Sequence, residues 1–455
     1  MYPIPYERYG EYYYTLLQDG SAAIERYDLQ KLRSRMFSPD PDQKIPADLG
    51  GIPVTAIGSI KDVGRFAFMT SLEIPATVTQ LHRNAIDCYK LTTVTIPDSV
   101  QQLPDNPFGW CHELREIRLS PSHPTLVFEN GILSDKARET FIFDVNAAHM
   151  EHYTIPEGFR YIAGGAFKYC HLKTVTIPDS VVEIGVEAFY ANDLTSIVIP
   201  NHVTKLGNGA FAYCDHLSTV TLPQGLSVLE ERLFIGCKSL SSLIIPESVT
   251  EVGAESFYGC EALTEVTLPS GLKKLGAWAF YDCLGLKSVT IPEGVTRIRE
   301  HAFSGCSSLD TISLPEGSKV IEGSAFSGCK AMTKIVLPPG LTFIGISAFR
   351  GCAALTEIEI PAEVRSIDAF AFCGCSELKK VVFKGSVTHL GKDIFQDCPG
   401  LKWKQLPKTT SDQGRSVCSM APPRDKDFQT ADVAPPPNEA RNGRGLKGLL
   451  KHFFK

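Results

Sequence analysis

Apolar and polar positions along the chain recur with a period of 22 or 23 residues. Each unit contains a short run such as LTEVTLP (263–269), in which apolar residues alternate with polar or β-branched ones, and this pattern predicts a strand. A proline then ends the strand, because it lacks the N–H that a sheet hydrogen bond needs. A second apolar pair follows, for example Val295 and Ile298. Phenylalanine marks the period at Phe167, Phe189, Phe211, Phe234, Phe257, Phe280, Phe303, Phe326, Phe349, Phe372 and Phe395, and Phe68, Ile86 and Phe108 fill the same slot upstream.

Such a unit cannot bury its apolar side alone, so the units must stack and share one core. The phenylalanine is expected on a short helical or 3₁₀-like turn that leads into the next unit. A glycine often stands four residues before it, where positive φ or close backbone approach is expected: Gly185, Gly207, Gly253, Gly276, Gly345 and Gly391.

The consensus unit reads A-F-x-x-C-x-x-L-x-x-V-x-I-P-x-x-V-x-x-I-G, with nearly complete copies at 257–279 and 280–302. It resembles the BspA-like leucine-rich repeats over about residues 10–403. The resemblance implies a right-handed, β-rich solenoid of the α/β leucine-rich-repeat type with 22–23 residues per coil. It also implies adhesion, or binding of host or matrix proteins.

The pattern divides the chain into four regions. Residues 1–58 are expected to form an N-terminal capping hairpin and first unit, and 59–403 the solenoid, with a hairpin insertion at about 120–156 that breaks the period. Residues 404–445 have the composition of a disordered Pro-rich and polar linker, and 446–455 form a basic amphipathic segment. From residue 401 onward the chain carries 11 basic and 5 acidic residues, which leaves 34 basic and 46 acidic residues in the first 400.

Twelve of the fourteen cysteines occupy one slot of the repeat: Cys88, Cys111, Cys170, Cys214, Cys237, Cys260, Cys283, Cys306, Cys329, Cys352, Cys375 and Cys398. Equivalent residues of stacked coils lie about 4.8 Å apart but point the same way, which disfavours disulfides. A line of thiols also lacks the four converging ligands of a zinc site. We expect reduced core packing, with disulfide, metal and redox roles as lesser alternatives, no cofactor, and a core ladder that includes Phe257, Cys260, Phe280, Cys283, Phe303, Cys306, Phe349 and Cys352.

Catalytic signatures such as G-x-S-x-G, H-E-x-x-H, a P-loop or a dinucleotide fingerprint are not found. His171 and His216 follow repeat cysteines, but this slot varies in character and is expected to be a surface position. We therefore expect no enzyme, and an unrecognised active site remains a remote alternative. The acidic array also argues against nucleic-acid binding.

The outward positions of the first strand in each unit form the candidate binding face for protein partners. A solvated sheet with good β-propensity is the simpler alternative, whereas solenoids commonly present extended surfaces to proteins. The candidate residues are Thr174, Thr176, Thr219, Thr221, Glu265, Thr267, Thr290, Lys334, Glu357, Glu359 and Lys380.

The terminal sequence GLKGLLKHFFK (445–455) places apolar residues on one helical face beside lysines. It is suited to an anionic membrane surface or to a groove in a partner, unless it stays frayed, as helices of about 11 residues usually do in water. A membrane-surface-associated intracellular scaffold is therefore the alternative function. The residues concerned are Leu446, Lys447, Leu449, Leu450, Lys451, Phe453, Phe454 and Lys455.

The compartment is left open by two conflicting expectations. The first twenty residues lack the basic and apolar regions of a signal peptide, and no apolar run is long enough to span a membrane, which favours a cytoplasmic or membrane-surface location. The family resemblance instead implies a cell-surface or secreted protein.

Overall fold

The computed structural model describes residues 7–9, 12–27, 45–58, 70–86, 88, 90–109 and 111–401. Within these residues the chain winds into a β-solenoid in which one repeat unit forms one coil. The first strand of each coil belongs to a parallel array that we call sheet A. Its strands are Ser71–Glu73, Thr93–Thr95, Glu116–Arg118, His152–Thr154, Thr174–Thr176, Ser196–Val198, Thr219–Thr221, Ser242–Ile244, Glu265–Thr267, Ser288–Thr290, Thr311–Ser313, Glu357–Ile360 and Lys380–Phe383.

A second parallel array, sheet B, is built from the short apolar pair of each coil. Its strands are Gln80–Leu81, Tyr161–Ile162, Glu183–Ile184, Lys205–Leu206, Val228–Leu229, Glu251–Val252, Lys274–Leu275, Arg297–Ile298, Val320–Ile321, Phe343–Ile344, Ser366–Ile367 and His389–Leu390. The register is constant from coil to coil, as where Ser288 lies opposite Thr311 and Arg297 opposite Val320. This constant register brings equivalent residues of successive coils into rows.

The segment around each described repeat phenylalanine is a run of turns closed by hydrogen bonds from residue i+3 to residue i, as from the N–H of Tyr281 to the carbonyl of Trp278 at 3.1 Å, so the expected 3₁₀-like turn is present but no helix forms there. The residue two positions before the phenylalanine is left-handed, for example Trp278 at φ 60° and His301 at φ 54°. The phenylalanine N–H then donates to the next coil, as from Phe280 to the carbonyl of Ala302 at 2.8 Å. A left-handed residue breaks the continuous run of local hydrogen bonds that a helix needs, so these turns do not extend into a helix and their remaining N–H groups pair between coils. The single helix in the described residues is a 3₁₀ turn, Ala147–His149.

The glycine that stands four residues before many of the repeat phenylalanines packs closely against the backbone of the preceding coil. A Cβ built on Gly276 would lie 2.4 Å from the backbone nitrogen of Ala254 in the preceding coil. Its φ is not in the left-handed region. Of the two reasons that the sequence allowed, close backbone approach is therefore the one that applies.

Antiparallel strands begin the structure and interrupt it once. At the N-terminus, Glu7–Tyr9, Tyr12–Leu16 and Ala22–Tyr27 pair antiparallel, and the last of them continues in parallel to Val54–Ile57. The interruption, in the region expected to hold a hairpin insertion, contains three antiparallel strands: Leu126–Glu129, Ile132–Asp135 and Thr140–Asp144. The sequence pattern predicts one hairpin here, whereas the structure has a further turn. This turn lies at Asn130 and Gly131, which are both left-handed, and it separates the first two strands.

The core is a stack of the repeat phenylalanines. Adjacent rings lie nearly parallel, with centroids 5.3 Å apart between Phe280 and Phe303 and 5.2 Å apart between Phe349 and Phe372. Phe141, from the interruption, starts this stack, with its ring 4.9 Å from that of Phe167. The neighbouring Ile142 packs into a separate core that contains the N-terminal coils. The strand Thr140–Asp144 thus joins two hydrophobic cores.

Candidate functional site

The repeat cysteines are buried and free, and each thiol has a structural task. In most coils the Sγ–H donates to the carbonyl of the phenylalanine in the preceding coil, for example from Cys306 to Phe280 at 3.1 Å and from Cys352 to Phe326 at 3.2 Å. Burial raises the pKa of Cys352 to about 12, so its thiol stays protonated at neutral pH. Across the described residues, no group of three or more His, Cys, Asp or Glu side chains is placed to hold a metal ion.

In one coil Asn192 occupies the position of the repeat cysteine, and its contacts show what this position requires. Its Nδ2 donates to the carbonyls of Phe167 at 2.7 Å and Phe189 at 3.0 Å, and its Oδ1 accepts from the N–H of Leu172. A buried carbonyl without a donor is costly. Cysteine and asparagine share the small size and the donor that this position needs.

The two histidines that follow repeat cysteines do not form Cys–His pairs of catalytic type. His171 is exposed, and its Nδ1 lies 3.3 Å from Oδ2 of Asp193, while Cys170 is buried in the core. The His171 ring also lies 6.4 Å from that of His112. Burial, followed by the nearby His171, lowers the pKa of His112.

The candidate binding face is exposed on sheet A. Alternate residues of its strands point to solvent and leave the central one inside, as in the strand Ser288–Thr290. All the candidate residues are exposed: Thr174, Thr176, Thr219, Thr221, Glu265, Thr267, Thr290, Lys334, Glu357, Glu359 and Lys380.

Lys334, Glu357, Glu359 and Lys380 come together in one groove at the C-terminal end of sheet A. The groove has a volume of about 690 Å³. Opposite charges pair between its coils, with Lys380 Nζ 3.6 Å from Glu357 Oε2 and the additional Lys384 Nζ 3.3 Å from Glu359 Oε1. The candidate threonines lie on earlier coils of the same sheet, away from this groove.

Sheet A also exposes apolar side chains that sequence reasoning missed. Val198, Ile244 and Val336 are 66%, 76% and 71% exposed. Each occupies the third position of its strand or strand-like segment, where most of the other coils have threonine or serine. The signal was present in the sequence, since an apolar residue in this hydroxyl slot departs from the pattern. Val336 lines the groove.

A second feature missed from the sequence is a row of aromatic residues beside the repeat phenylalanines, which we call the aromatic strip. Its rings contact one another from coil to coil, with centroids 5.2 Å apart between Tyr190 and Tyr213 and 4.7 Å apart between Tyr258 and Tyr281. The aromatic residues immediately around the repeat phenylalanines were the available signal. The strip comprises Tyr169, Tyr190, Tyr213, Tyr258, Trp278, Tyr281 and His301.

At the N-terminal half of the aromatic strip, carboxylates are neutralised by their own neighbours. Glu187 Oε2 lies 2.6 Å from Arg83 and 2.5 Å from Lys168, and Glu255 pairs with Arg232 at 3.0 Å. Burial acts to raise the pKa of Glu187, but Lys168 and Arg83 together hold the pKa below its ordinary value. Lys168 Nζ also lies 4.4 Å from the ring centroid of Tyr190, so the lysine is held between an aromatic ring and a carboxylate.

Comparison with known families identifies the array. The family model described as the BspA type leucine rich repeat region (6 copies) matches residues 54–134, 139–258, 227–352 and 309–420. The chain belongs to this family. The BspA-type repeats therefore form a leucine-rich-repeat scaffold, which confirms the predicted family and solenoid. No curated protein matches the chain.

The solved structures that are similar to this chain include a leucine-rich-repeat protein and a leucine rich cell surface protein. The leucine-rich-repeat protein, from Bacteroides ovatus, is 24% identical and superposes with a TM-score of 0.49. The alignment covers 86% of this chain and 92% of the Bacteroides ovatus chain. A leucine rich cell surface protein from Faecalibacterium prausnitzii is 27% identical, with coverage of 84% and 96% and a TM-score of 0.40. The pneumococcal vaccine antigen PcpA is 16% identical, with coverage of 84% and 91% and a TM-score of 0.38.

The linker 404–445 and the basic segment 446–455 lie outside the described residues. The membrane or partner docking expected of Leu446, Leu449, Phe453 and their neighbours therefore stays a prediction. Among the residues that are described, no helix has the length and apolar character to cross a membrane.

Proposed function

We propose that this BspA-type protein is a non-catalytic scaffold that binds protein partners through sheet A. The observation that carries the proposal is the groove at its C-terminal end, where exposed Val336 lies among Lys334, Glu357, Glu359 and Lys380. An apolar centre with a charged rim is the usual anatomy of a protein interface.

The shape and chemistry of sheet A support binding along its length as well. Fourteen coils at about 4.8 Å each would extend over roughly 65 Å, which is sufficient for an interface of standard size. Hydroxyl-bearing side chains cover the central coils, and Val198 and Ile244 add exposed apolar contacts among them. We propose an adhesive role with a host or matrix protein as the partner, on the basis of the family resemblance.

Direct binding measurements test this function. The purified full-length protein is presented to immobilised extracellular-matrix proteins and to host-cell surface extracts, and Kd is measured for each partner that is bound. Val336→Glu places a charge at the centre of the groove and is expected to weaken binding at least tenfold. Thr296→Glu, an exposed change outside sheet A, is the matched control and is expected to leave Kd unchanged.

The proposal fails if no protein partner binds, or if Val336→Glu and Thr296→Glu have the same affinity as the wild type. Circular dichroism and thermal unfolding of both variants establish that the fold is retained. A raised Kd in both variants would also contradict the assignment to sheet A, because Thr296 lies outside it.

A further inference from the structure

The C-terminal half of the aromatic strip carries carboxylates beside its rings, and we call this region the acidic aromatic patch. It is formed by Tyr258, Glu261, Trp278, Tyr281, Asp282 and Glu300. The Trp278 ring stacks on the ring of His301, with centroids 3.9 Å apart, and lies tilted against the ring of Tyr281, with centroids 4.9 Å apart. The rings are half-buried, so the patch combines apolar edges with negative charge on consecutive coils.

The carboxylates of the patch differ from those earlier in the strip because they have no neutralising lysine or arginine. Among the described residues, no Lys or Arg nitrogen lies within 4.0 Å of Glu261 or Asp282, and the one pairing of Glu300 is with His301 at 3.8 Å. Asp282 is half-buried and extends over Gly305, where a side chain would collide with its Oδ1. Burial first, and the negative charge of Glu261 second, raise the pKa of Asp282.

Another part of the aromatic strip shows a lysine bound between a ring and a carboxylate. Earlier in the array, Lys168 lies against the ring of Tyr190 and forms an ion pair with Glu187. The slot of Lys168, one residue after the repeat phenylalanine, holds Tyr258 and Tyr281 in the patch. The patch thus also combines aromatic rings with carboxylates, which come from other slots of the repeat, but it lacks a lysine or arginine beside them. A basic segment with apolar side chains would supply both missing contacts.

We propose that the acidic aromatic patch binds the chain's own basic C-terminal segment, residues 441–455. Basic residues recur throughout this segment, no acidic residue occurs in it, and leucines and phenylalanines stand between the charges. Its cations match the carboxylates of Glu261, Asp282 and Glu300, and its apolar residues match the exposed ring edges. The basic residues are Arg441, Arg444, Lys447, Lys451 and Lys455.

The intervening chain is long enough to make this contact. From the coil of Phe395 back to the coil of Phe280 there are five steps, or roughly 24 Å at about 4.8 Å per coil. A flexible linker with the length of residues 402–440 would have a root-mean-square span of about 35 Å. A tether of matching length gives an effective concentration on the order of millimolar, so weak contacts are sufficient for docking.

Sheet A is a poorer receptor for the same segment. Its groove carboxylates Glu357 and Glu359 already pair with Lys380 and Lys384. Lys334 adds a further positive charge at the groove. A lysine-rich segment would find the carboxylates of the groove already paired, whereas the acidic aromatic patch offers uncompensated negative charge.

Zero-length carbodiimide cross-linking of the full-length protein tests the contact, because the reagent joins a lysine amine to a carboxylate that touches it. Peptides linking Lys447, Lys451 or Lys455 to Glu261, Asp282 or Glu300 are expected by mass spectrometry. A mixture of ¹⁴N- and ¹⁵N-labelled chains distinguishes links within one chain from links between two. Links that run to sheet A, or between chains, would overturn the proposal, as would the absence of any link from the three lysines to the patch.

Limited trypsin digestion gives an independent readout that does not depend on the cross-linking chemistry. Docking is expected to slow cleavage after Arg441 and Arg444 at least fivefold relative to the triple variant E261Q/D282N/E300Q. The matched control E265Q/E357Q/E359Q removes the same number of carboxylates from sheet A and is expected to cleave as slowly as the wild type. Equal cleavage rates in the wild type and the patch variant would refute docking.

Discussion

Replacement of one repeat cysteine separates the two contributions that its side chain makes. Cys306 is fully buried, and its thiol donates to the carbonyl of Phe280 at 3.1 Å. Cys306→Ala removes both the sulfur volume and the donor, whereas Cys306→Val fills the space but lacks the donor. The carbonyl of Phe280 keeps one hydrogen bond in both variants, from the N–H of Cys283 at 3.3 Å.

The expected costs follow from these contacts. Loss of one weak donor to a carbonyl that keeps another partner is expected to reduce the free energy of unfolding by about 0.5–1 kcal/mol in Cys306→Val. Cys306→Ala adds the transfer and cavity terms of one buried sulfur, which brings the total to about 1.5–2.5 kcal/mol. Both effects are local, because the neighbouring coils retain their own cysteines.

Equilibrium urea unfolding, followed by far-ultraviolet circular dichroism and by tryptophan fluorescence, measures these costs. Two probes are needed because long repeat arrays do not always unfold in one cooperative step. A Cys306→Ala variant as stable as the wild type would refute the packing role. A Cys306→Val variant less stable than Cys306→Ala would refute the reasoning that the filled volume stabilises the protein more than the thiol hydrogen bond does.

Further outcomes are expected from the same structure. A thiol reagent should modify the buried repeat cysteines only after denaturation, and several fast-reacting repeat thiols in the native protein would contradict their burial. Glu187→Gln should destabilise the protein at neutral pH. Because the folded-state pKa of Glu187 is lowered, this difference in unfolding free energy should shrink as pH falls below about 4.5, and a constant difference would contradict the ion-pair explanation. Gly276→Ala should lower the unfolding free energy by about 1–3 kcal/mol, because its methyl group meets the backbone of Ala254, and an unchanged midpoint in urea would refute that contact. Removal of residues 441–455 should reduce co-sedimentation with anionic liposomes if the basic segment binds membranes, and equal binding by both forms would exclude that role.

The repeat pattern predicted the fold well because one constraint is copied many times. The phenylalanine, the cysteine and the proline each mark a fixed point of every coil, and their register alone implies stacking. The expected turns do not extend into helices, and the sequence does not reveal this because nothing in it shows that Trp278 or His301 adopts a left-handed φ. Side chains of ordinary type stand at these positions, and contacts between coils impose their backbone conformation.

The candidate surfaces were less predictable than the fold. Alternation identified Lys334 and Glu357 as outward-facing, but it could not show that they meet in a groove, since this depends on how neighbouring coils pack. The acidic aromatic patch was missed because Tyr258 and Trp278 lie in different slots of the repeat. Only the stacked coils bring these rings together with Asp282.

The hydrogen bond that most repeat cysteines make to the coil before them bears on how such genes lengthen. Every 23-residue block brings a donor for its predecessor and leaves a carbonyl for its successor, so a duplicated block satisfies both junctions without any compensating mutation. The last described link of this kind runs from Cys398 to Phe372. Unequal recombination inside the array is therefore expected to yield longer or shorter proteins that still fold.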